Sequence, residues 1–103
     1  MSLSHTELKQ WFRYFNRKHF DSRFAADTDV YYAPDDRLHG EAAGYPNGEG
    51  AIKIDTTVAG TRYAKLVLLH EMVHLDTGDY SHGHRFQAGM LRLATKGALR
   101  NIW

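Results

Sequence analysis

One segment limits the possible folds more than any other: the run from Tyr63 to Val73 has apolar residues on most sides of a helix. A helix that is hydrophobic nearly all round must be buried. Thr61 has the side chain of an N-cap, and Gly78 suits the end of the helix. Since the chain has only 103 residues, we expect residues 1–103 to form a single small domain around this helix.

The overall composition is that of a globular chain, with 43% hydrophobic and 24% charged residues, which argues against disorder. The net charge of +1 excludes a strongly basic protein that nucleic acid or membrane would hold by bulk charge. The chain has no cysteine, which excludes disulfides, thiol catalysis and cysteine zinc ribbons. Small domains often need another stabiliser, such as a structural metal ion, and seven histidines offer ligands.

Two further helices are predicted, one at each end of the chain. The first covers residues 4–20, where Ser4 and Glu7 have the spacing of a capping box. Apolar residues at helical spacing form its inner face: Leu8, Trp11, Phe12 and Phe15. The last covers about residues 84–100, and its inner face is marked by Phe86, Met90, Leu93 and Gly97. Each helix also carries a basic stripe, which we interpret as solvent-exposed: Lys9, Arg13 and Arg17 in the first, and Arg85, Arg92, Lys96 and Arg100 in the last.

Three short segments between the first two helices predict a small antiparallel sheet. Residues 30–33 are β-prone, residues 38–45 form a second candidate strand, and residues 51–55 alternate apolar and polar side chains. Residues 46–50 have the asparagine and glycines of a tight turn. The predicted fold class is therefore α+β, with an N-terminal helix, a three-stranded antiparallel sheet, the central helix and a C-terminal helix.

The central helix contains the motif H-E-x-x-H, at His70-Glu71-Met72-Val73-His74. Positions i and i+4 share one helix face, so the two imidazoles can converge on one metal ion. Glu71 lies one residue further round, where a general base can contact a metal-bound water. The alternative is a pair of satisfied core histidines with Glu71 at the surface, although burying such groups without a purpose is costly.

A catalytic zinc site needs a third protein ligand and an open fourth position. No glutamate follows Glu71, which excludes the arrangement of gluzincins. Thr77 and Tyr80 stand where the metzincin pattern requires glycine and histidine, which excludes that arrangement as well. A histidine after a short loop remains, and on spacing alone both His82 and His84 are candidates.

The residues from His70 to Phe86 resemble the pattern of SprT-like zinc metallopeptidases, in which H-E-x-x-H is followed by a short loop and H-G-x-x-F. The second part reads His82-Gly83-His84-Arg85-Phe86 here. The aromatic-rich first helix and the small sheet before the metal helix are also similar to that family's core. The resemblance implies a zincin-like fold and the following site: Zn²⁺ bound by His70, His74 and His82, with Glu71 as the catalytic base.

This chain departs from the family in lacking the cysteine zinc ribbon that many members carry. The resemblance therefore implies a minimal catalytic core that hydrolyses peptide bonds by Glu71-assisted attack of a zinc-bound water. We expect a monomer that acts on a protein or peptide substrate and associates only weakly with DNA through its basic helix faces. Three alternatives remain open: a non-catalytic, zinc-stabilised domain whose surface binds partners, a nucleic-acid-binding module that uses the two basic stripes, and an amidase for small substrates.

Supporting roles are predicted for several further residues. Residues 51–55 are the candidate edge strand that binds an extended peptide. The alternative is that they form an ordinary strand of the sheet. Asp76 and Asp79 are candidates to orient the ligand histidines. The alternative is that both residues only stabilise the loop or cap a helix. Candidate donors to the oxyanion are Tyr80, His84 and Arg85. His84 has three other interpretations: an outer-shell group, a substrate contact and an exposed residue at a helix start.

Neither membrane insertion nor secretion is predicted. No apolar run approaches the roughly 18 residues that a spanning helix requires. Residues 1–5 lack the basic and apolar regions of a signal peptide. We therefore expect a cytoplasmic protein with no membrane partner.

Overall fold

The computed structural model describes residues 5–25, 28–34, 40–44, 50–59, 61–78 and 81–99. The elements follow in this order: α1 (His5–His19), β1 (Asp29–Ala33), β2 (Gly40–Gly44), β3 (Gly50–Asp55), a 3₁₀ turn (Thr56–Val58), α2 (Arg62–Thr77) and α3 (His84–Thr95). The predicted combination of helices and a small sheet is confirmed. Among the residues described, no helix combines the length and apolarity needed to cross a membrane.

Helix α1 packs against the core through the face that its apolar spacing predicted. Leu8, Phe12 and Phe15 are buried, and Trp11 is half-buried against them. Asn16 stabilises the turn that follows the helix. Its side-chain amide donates a hydrogen bond to the carbonyl of Phe24 and accepts one from the Phe24 N–H, both at 3.1 Å. The predicted cap Ser4 lies outside the described residues.

The sheet is mixed, so the predicted all-antiparallel arrangement is wrong for one of its two strand pairs. Its order is β1-β3-β2: β3 is antiparallel to β2 and parallel to β1. The reason is topological, because β3 returns from β2 and inserts between the two earlier strands, which aligns it with β1. Alternation of side chains shows which face of a strand is buried, but it does not show which strand lies beside it.

A second correction follows from the same topology and concerns residues 51–55. They belong to β3, whose backbone pairs with a strand on each side, so this segment is not an edge strand. Within the described residues, β2 pairs with β3 alone and forms the edge of the sheet nearer the central helix. The predicted turn at residues 46–49 lies outside the described part of the chain.

Helix α2 is the buried centre of the fold, as predicted. The Thr61 hydroxyl accepts from the Ala64 N–H at 3.3 Å, and Gly78 ends the helix with a left-handed φ of 69°. Both predicted ends are confirmed. The helix contacts α1, α3, β2 and β3, and its buried apolar residues are Ala64, Val67, Leu68, Leu69, Met72 and Val73.

Helix α3 packs closely on α2 but is shorter than predicted. It ends at Thr95, and Gly97 has a left-handed φ of 81°, so Gly97 turns the chain instead of extending the inner face. Gly89 is buried at the contact, where a methyl group in place of its hydrogen would lie 2.7 Å from Cγ1 of Val73. The two helices therefore approach each other at a point where a larger side chain does not fit.

The second predicted basic stripe is interrupted at Arg92, which is half-buried. Its guanidinium donates to the carbonyl of His19 at 3.0 Å and lies 3.5 Å from the Asp76 carboxylate, which also pairs with Arg23. Asp76 therefore joins α2 to α3 and to the turn after α1, which is a structural role and not the predicted support of a ligand histidine. The stripe of Lys9, Arg13 and Arg17 on α1 is exposed, as predicted.

Candidate metal site

Three histidine rings meet at one point beside α2. His70 and His74 lie one helical turn apart on the same face of α2, and His82, just before α3, lies beside them. The Nε2 atoms are 3.2 Å apart between His70 and His74, and 3.1 Å from each of these to His82. His84, the other candidate left by spacing alone, is exposed at the first residue of α3 and is not in this group.

Hydrogen bonding among the rings cannot explain this triangle of nitrogens. In a neutral imidazole each nitrogen is either a donor or an acceptor. Atoms of two kinds cannot alternate around a triangle, so at least one contact sets donor against donor or acceptor against acceptor. A cation resolves the conflict, because all three nitrogens can then direct their lone pairs at it.

The spacing of the nitrogens suits a metal ion. Metal–nitrogen bonds of about 2.0–2.1 Å at tetrahedral angles place neighbouring ligand nitrogens about 3.3–3.4 Å apart. The observed separations of 3.1–3.2 Å correspond to nitrogen–metal–nitrogen angles of about 100° at such bond lengths. The three histidines can therefore hold a metal ion as three adjacent ligands, which leaves coordination positions for other groups.

The backbone of His82 is held in an uncommon conformation that turns its ring toward the other two. Its φ is 62°, in the left-handed region that few residues other than glycine occupy and where histidine is enriched. Such a conformation costs roughly 1–3 kcal/mol and persists only where the surroundings impose it. One such contact is the side-chain amide of Gln87, which donates to the His82 carbonyl at 3.0 Å.

Phe86 is the apolar platform on which all three rings pack. Its ring centre lies 4.4 Å from that of His74, in a stacked arrangement. The centres of His70 and His82 lie 4.7 and 4.8 Å away, with their rings steeply inclined to it. The prediction placed Phe86 on the inner face of α3 but did not include this contact. His82 precedes the helix, so the contact depends on how α3 packs on α2 and no spacing within one helix indicates it.

The surroundings of His70 lower the pKa of its ring, which favours the neutral form that can bind a cation. Burial, followed by the neighbouring His74 and His82, lowers the pKa of His70 from 6.5 to about 4. His70 is therefore neutral at pH 7, and a neutral imidazole is the form that binds a metal.

The carboxylate of Glu71 lies against the first residue of β2. Glu71 is only 5% exposed, so its interpretation as a surface residue is wrong. A methyl group on Gly40 would lie 2.9 Å from Oε2 of Glu71 and 2.5 Å from Cγ1 of Val67. Gly40, which the sequence analysis did not single out, therefore allows the edge strand to approach the motif helix closely.

The remaining predicted site residues have no established place in the cluster. Arg85 is exposed on α3, and Asp79 and Tyr80 lie outside the described residues. Comparison of the chain with models of known protein families gives no match, and comparison with curated proteins also gives none. The resemblance to SprT-like metallopeptidases therefore stays a prediction that rests on the motif residues.

Proposed function

We propose that this chain is a zinc-dependent metallopeptidase of the type that its motif residues resemble, the SprT-like enzymes. In this proposal His70, His74 and His82 hold Zn²⁺, and Glu71 is the catalytic base. The supporting observation is the triangle of imidazole nitrogens, which hydrogen bonds cannot satisfy, on the helix face beside a buried carboxylate. Three neutral ligands suit zinc, which prefers nitrogen donors and keeps a position for water in catalytic sites.

The residues of the chain divide the chemistry between them. Bound zinc would supply a Lewis acid that lowers the pKa of water toward about 7 and polarises a peptide carbonyl. The imidazoles carry no negative charge, so they leave the charge of the ion undiminished. Glu71 accepts the proton of the attacking water at its carboxylate and delivers it to the leaving amine. Burial of Glu71 strengthens its electrostatic interactions there.

The substrate is proposed to bind as an extended strand beside β2. An extended peptide can add to a sheet edge through main-chain hydrogen bonds, and β2 takes this role in place of the predicted residues 51–55. Gly40 at the start of β2 lies beside the Glu71 carboxylate. A peptide that follows this strand would therefore pass close to the proposed base.

The decisive test replaces Glu71 by glutamine, which keeps the size and burial of the side chain but removes the base. Glu71→Gln should retain the zinc content of the parent, measured by atomic absorption. It should lose about 10²–10⁴-fold in the rate of casein hydrolysis, which is the usual contribution of a general base. Cleavage at the parent rate would contradict the assignment of Glu71.

The same experiment distinguishes the proposal from its alternative. A parent protein that binds zinc stoichiometrically, unfolds on chelation and cleaves neither casein nor its own chain would indicate a metal-stabilised binding domain. A parent whose cleavage is abolished by a chelator and restored by zinc would support the enzyme.

A further inference from the structure

A second candidate site is a cleft formed by α1, the first turn of α2 and the turn after α3. Its volume is about 650 Å³, which is within the range of about 300–1,000 Å³ typical of small-molecule sites. It shares no residue with the histidine cluster. Four cationic side chains line it: Lys18, Arg62, Lys65 and Lys96.

The charge of this cleft indicates an anionic occupant. The chain as a whole has a net charge of +1, yet none of the described residues that line the cleft is acidic. Four cations that converge on one concave surface repel each other, and a cleft of one sign concentrates ions of the opposite sign. An anion in the cleft would relieve this repulsion.

Two of the four cations lie over aromatic rings that line the same cleft. The ammonium of Lys65 lies 4.7 Å from the centre of the Trp11 ring. The ammonium of Lys18 lies 5.3 Å from the centre of the Tyr14 ring and donates to the Tyr14 hydroxyl at 2.9 Å. A cation–π contact contributes about 0.5–1 kcal/mol at an exposed site, such as that of Lys18 on Tyr14, and about 2 kcal/mol where it is desolvated. Lys65 and Trp11 are half-buried, but a phosphate that pairs with either ammonium could still draw it away and leave a ring face to a ligand.

His19 adds a buried polar group to the same wall. It is 5% exposed, and its Nδ1 is buried with no hydrogen-bond partner in the described part of the chain. Burial first, and then Lys18, Lys96 and Arg92, lower the pKa of His19. Three cations thus act on this ring from α1, α3 and the turn that follows it, which agrees with the positive potential inferred for the cleft.

We propose that this cleft binds a nucleoside phosphate, with the base on the rings of Trp11 and Tyr14 and the phosphate between Lys18, Lys65 and Lys96. Aromatic stacking surfaces beside cations are the combination by which proteins hold single nucleotides of a strand. An acidic peptide would use the cations but would leave the aromatic faces unused. The nucleoside phosphate can belong to a free nucleotide or to a single-stranded nucleic acid, and the experiment distinguishes these two sources.

The test uses the fluorescence of Trp11 as a reporter inside the cleft. The chain has two tryptophans, so Trp103→Phe leaves Trp11 as the only one. Four probes are titrated into this variant: adenosine 5′-monophosphate, adenosine, inorganic phosphate and a single-stranded deoxyadenosine decamer. We expect saturable quenching by the monophosphate, with at least tenfold weaker binding of adenosine or phosphate alone.

Charge-neutral variants locate the site. Lys18→Gln combined with Lys96→Gln should weaken binding of the monophosphate at least tenfold. Lys9→Gln combined with Arg13→Gln removes the same charge from the exposed face of α1 and should change binding less than twofold. Circular dichroism confirms that both variants fold.

Each outcome bears on the proposal. Tighter binding of the decamer than of the monophosphate would identify a nucleic acid strand as the source, and equal binding would identify the free nucleotide. The proposal is overturned if neither the monophosphate nor the decamer quenches the fluorescence of Trp11 saturably. It is also overturned if adenosine or phosphate alone binds as tightly as the monophosphate, or if the control pair loses as much affinity as the cleft pair.

Discussion

Replacing Gly89 by alanine tests whether the close approach of α3 to α2 is a real constraint. An added methyl group would lie 2.7 Å from Cγ1 of Val73 and 3.4 Å from Cγ2 of Thr77. Carbon atoms in contact are ordinarily about 3.5–4.0 Å apart. The helices must therefore separate by about 1 Å, or Val73 must leave its rotamer.

Two opposing effects determine how much Gly89→Ala changes the free energy of unfolding. Overpacking a core contact costs about 1–3 kcal/mol, whereas alanine in place of glycine inside a helix gains about 1 kcal/mol. The balance is a net loss of about 1 kcal/mol in the free energy of unfolding. For a domain of this size that lowers the melting temperature by about 4–8 °C.

The assay is thermal unfolding followed by circular dichroism, for single variants and a double variant. Val73→Ala alone leaves a cavity and should cost about 2 kcal/mol. In the double variant the new methyl group occupies part of that cavity, so its loss should be smaller than the sum of the single losses by about 1 kcal/mol. Ala88→Gly, at an exposed position of the same helix, measures the propensity effect by itself.

Two results would refute this reasoning. A melting temperature that rises in Gly89→Ala by as much as it falls in Ala88→Gly would mean that propensity alone acts and that nothing crowds Gly89. Strict additivity of Gly89→Ala and Val73→Ala would mean that the two side chains do not meet.

Three further predictions concern the metal site, a buried histidine and a buried carboxylate. His82→Ala should lose far more bound zinc than His84→Ala, because only the first ring joins the cluster; equal zinc contents by atomic absorption would reject this. His19 has a folded pKa below its unfolded value of 6.5, so the unfolded state binds its proton first and stability falls as the pH drops below about 6.5. His19→Phe should flatten this part of the pH profile of urea unfolding, and an unchanged slope would contradict the pKa direction. Asp76→Asn should reduce the free energy of unfolding by about 1–3 kcal/mol, because it removes the charge that pairs with Arg23 and Arg92; an unchanged urea midpoint would argue against these links.

The sequence was most informative where structure depends on neighbours along the chain. The ends of α2 at Thr61 and Gly78 follow from capping chemistry within four residues of each end. The convergence of His70 with His74 follows from the helical repeat alone. The inner face of α1 follows from the same periodicity.

Features that depend on distant pairing could not be predicted in this way. The insertion of β3 between β1 and β2 is decided by which strands bury each other, and a short alternating segment does not encode its neighbour. The spacing of Arg92 predicts a surface-exposed side chain, yet its pairing with Asp76 arises only once α3 packs on α2. Gly40 gains its significance from a helix much later in the chain.

The choice between His82 and His84 also depends on contacts between distant parts of the chain, which the sequence does not show. Spacing allowed either residue, and only the resemblance favoured His82. In the structure the choice depends on a left-handed backbone at His82 and on the start of α3 directly after it. Because His84 is already in the helix, its ring direction is fixed by α3, whereas His82 can turn back toward α2.

Packing of α3 on α2 and binding of a metal should therefore stabilise each other. Phe86 lies on α3 and contacts all three rings, and Gln87 of the same helix holds the His82 backbone. Any change that separates α3 from α2 also moves His82 away from His70 and His74. A metal that binds only the assembled cluster stabilises the folded state by an amount that grows with the logarithm of its affinity. Weakening the helix contact at Gly89 should therefore weaken metal binding, and removing the metal should loosen the helix contact.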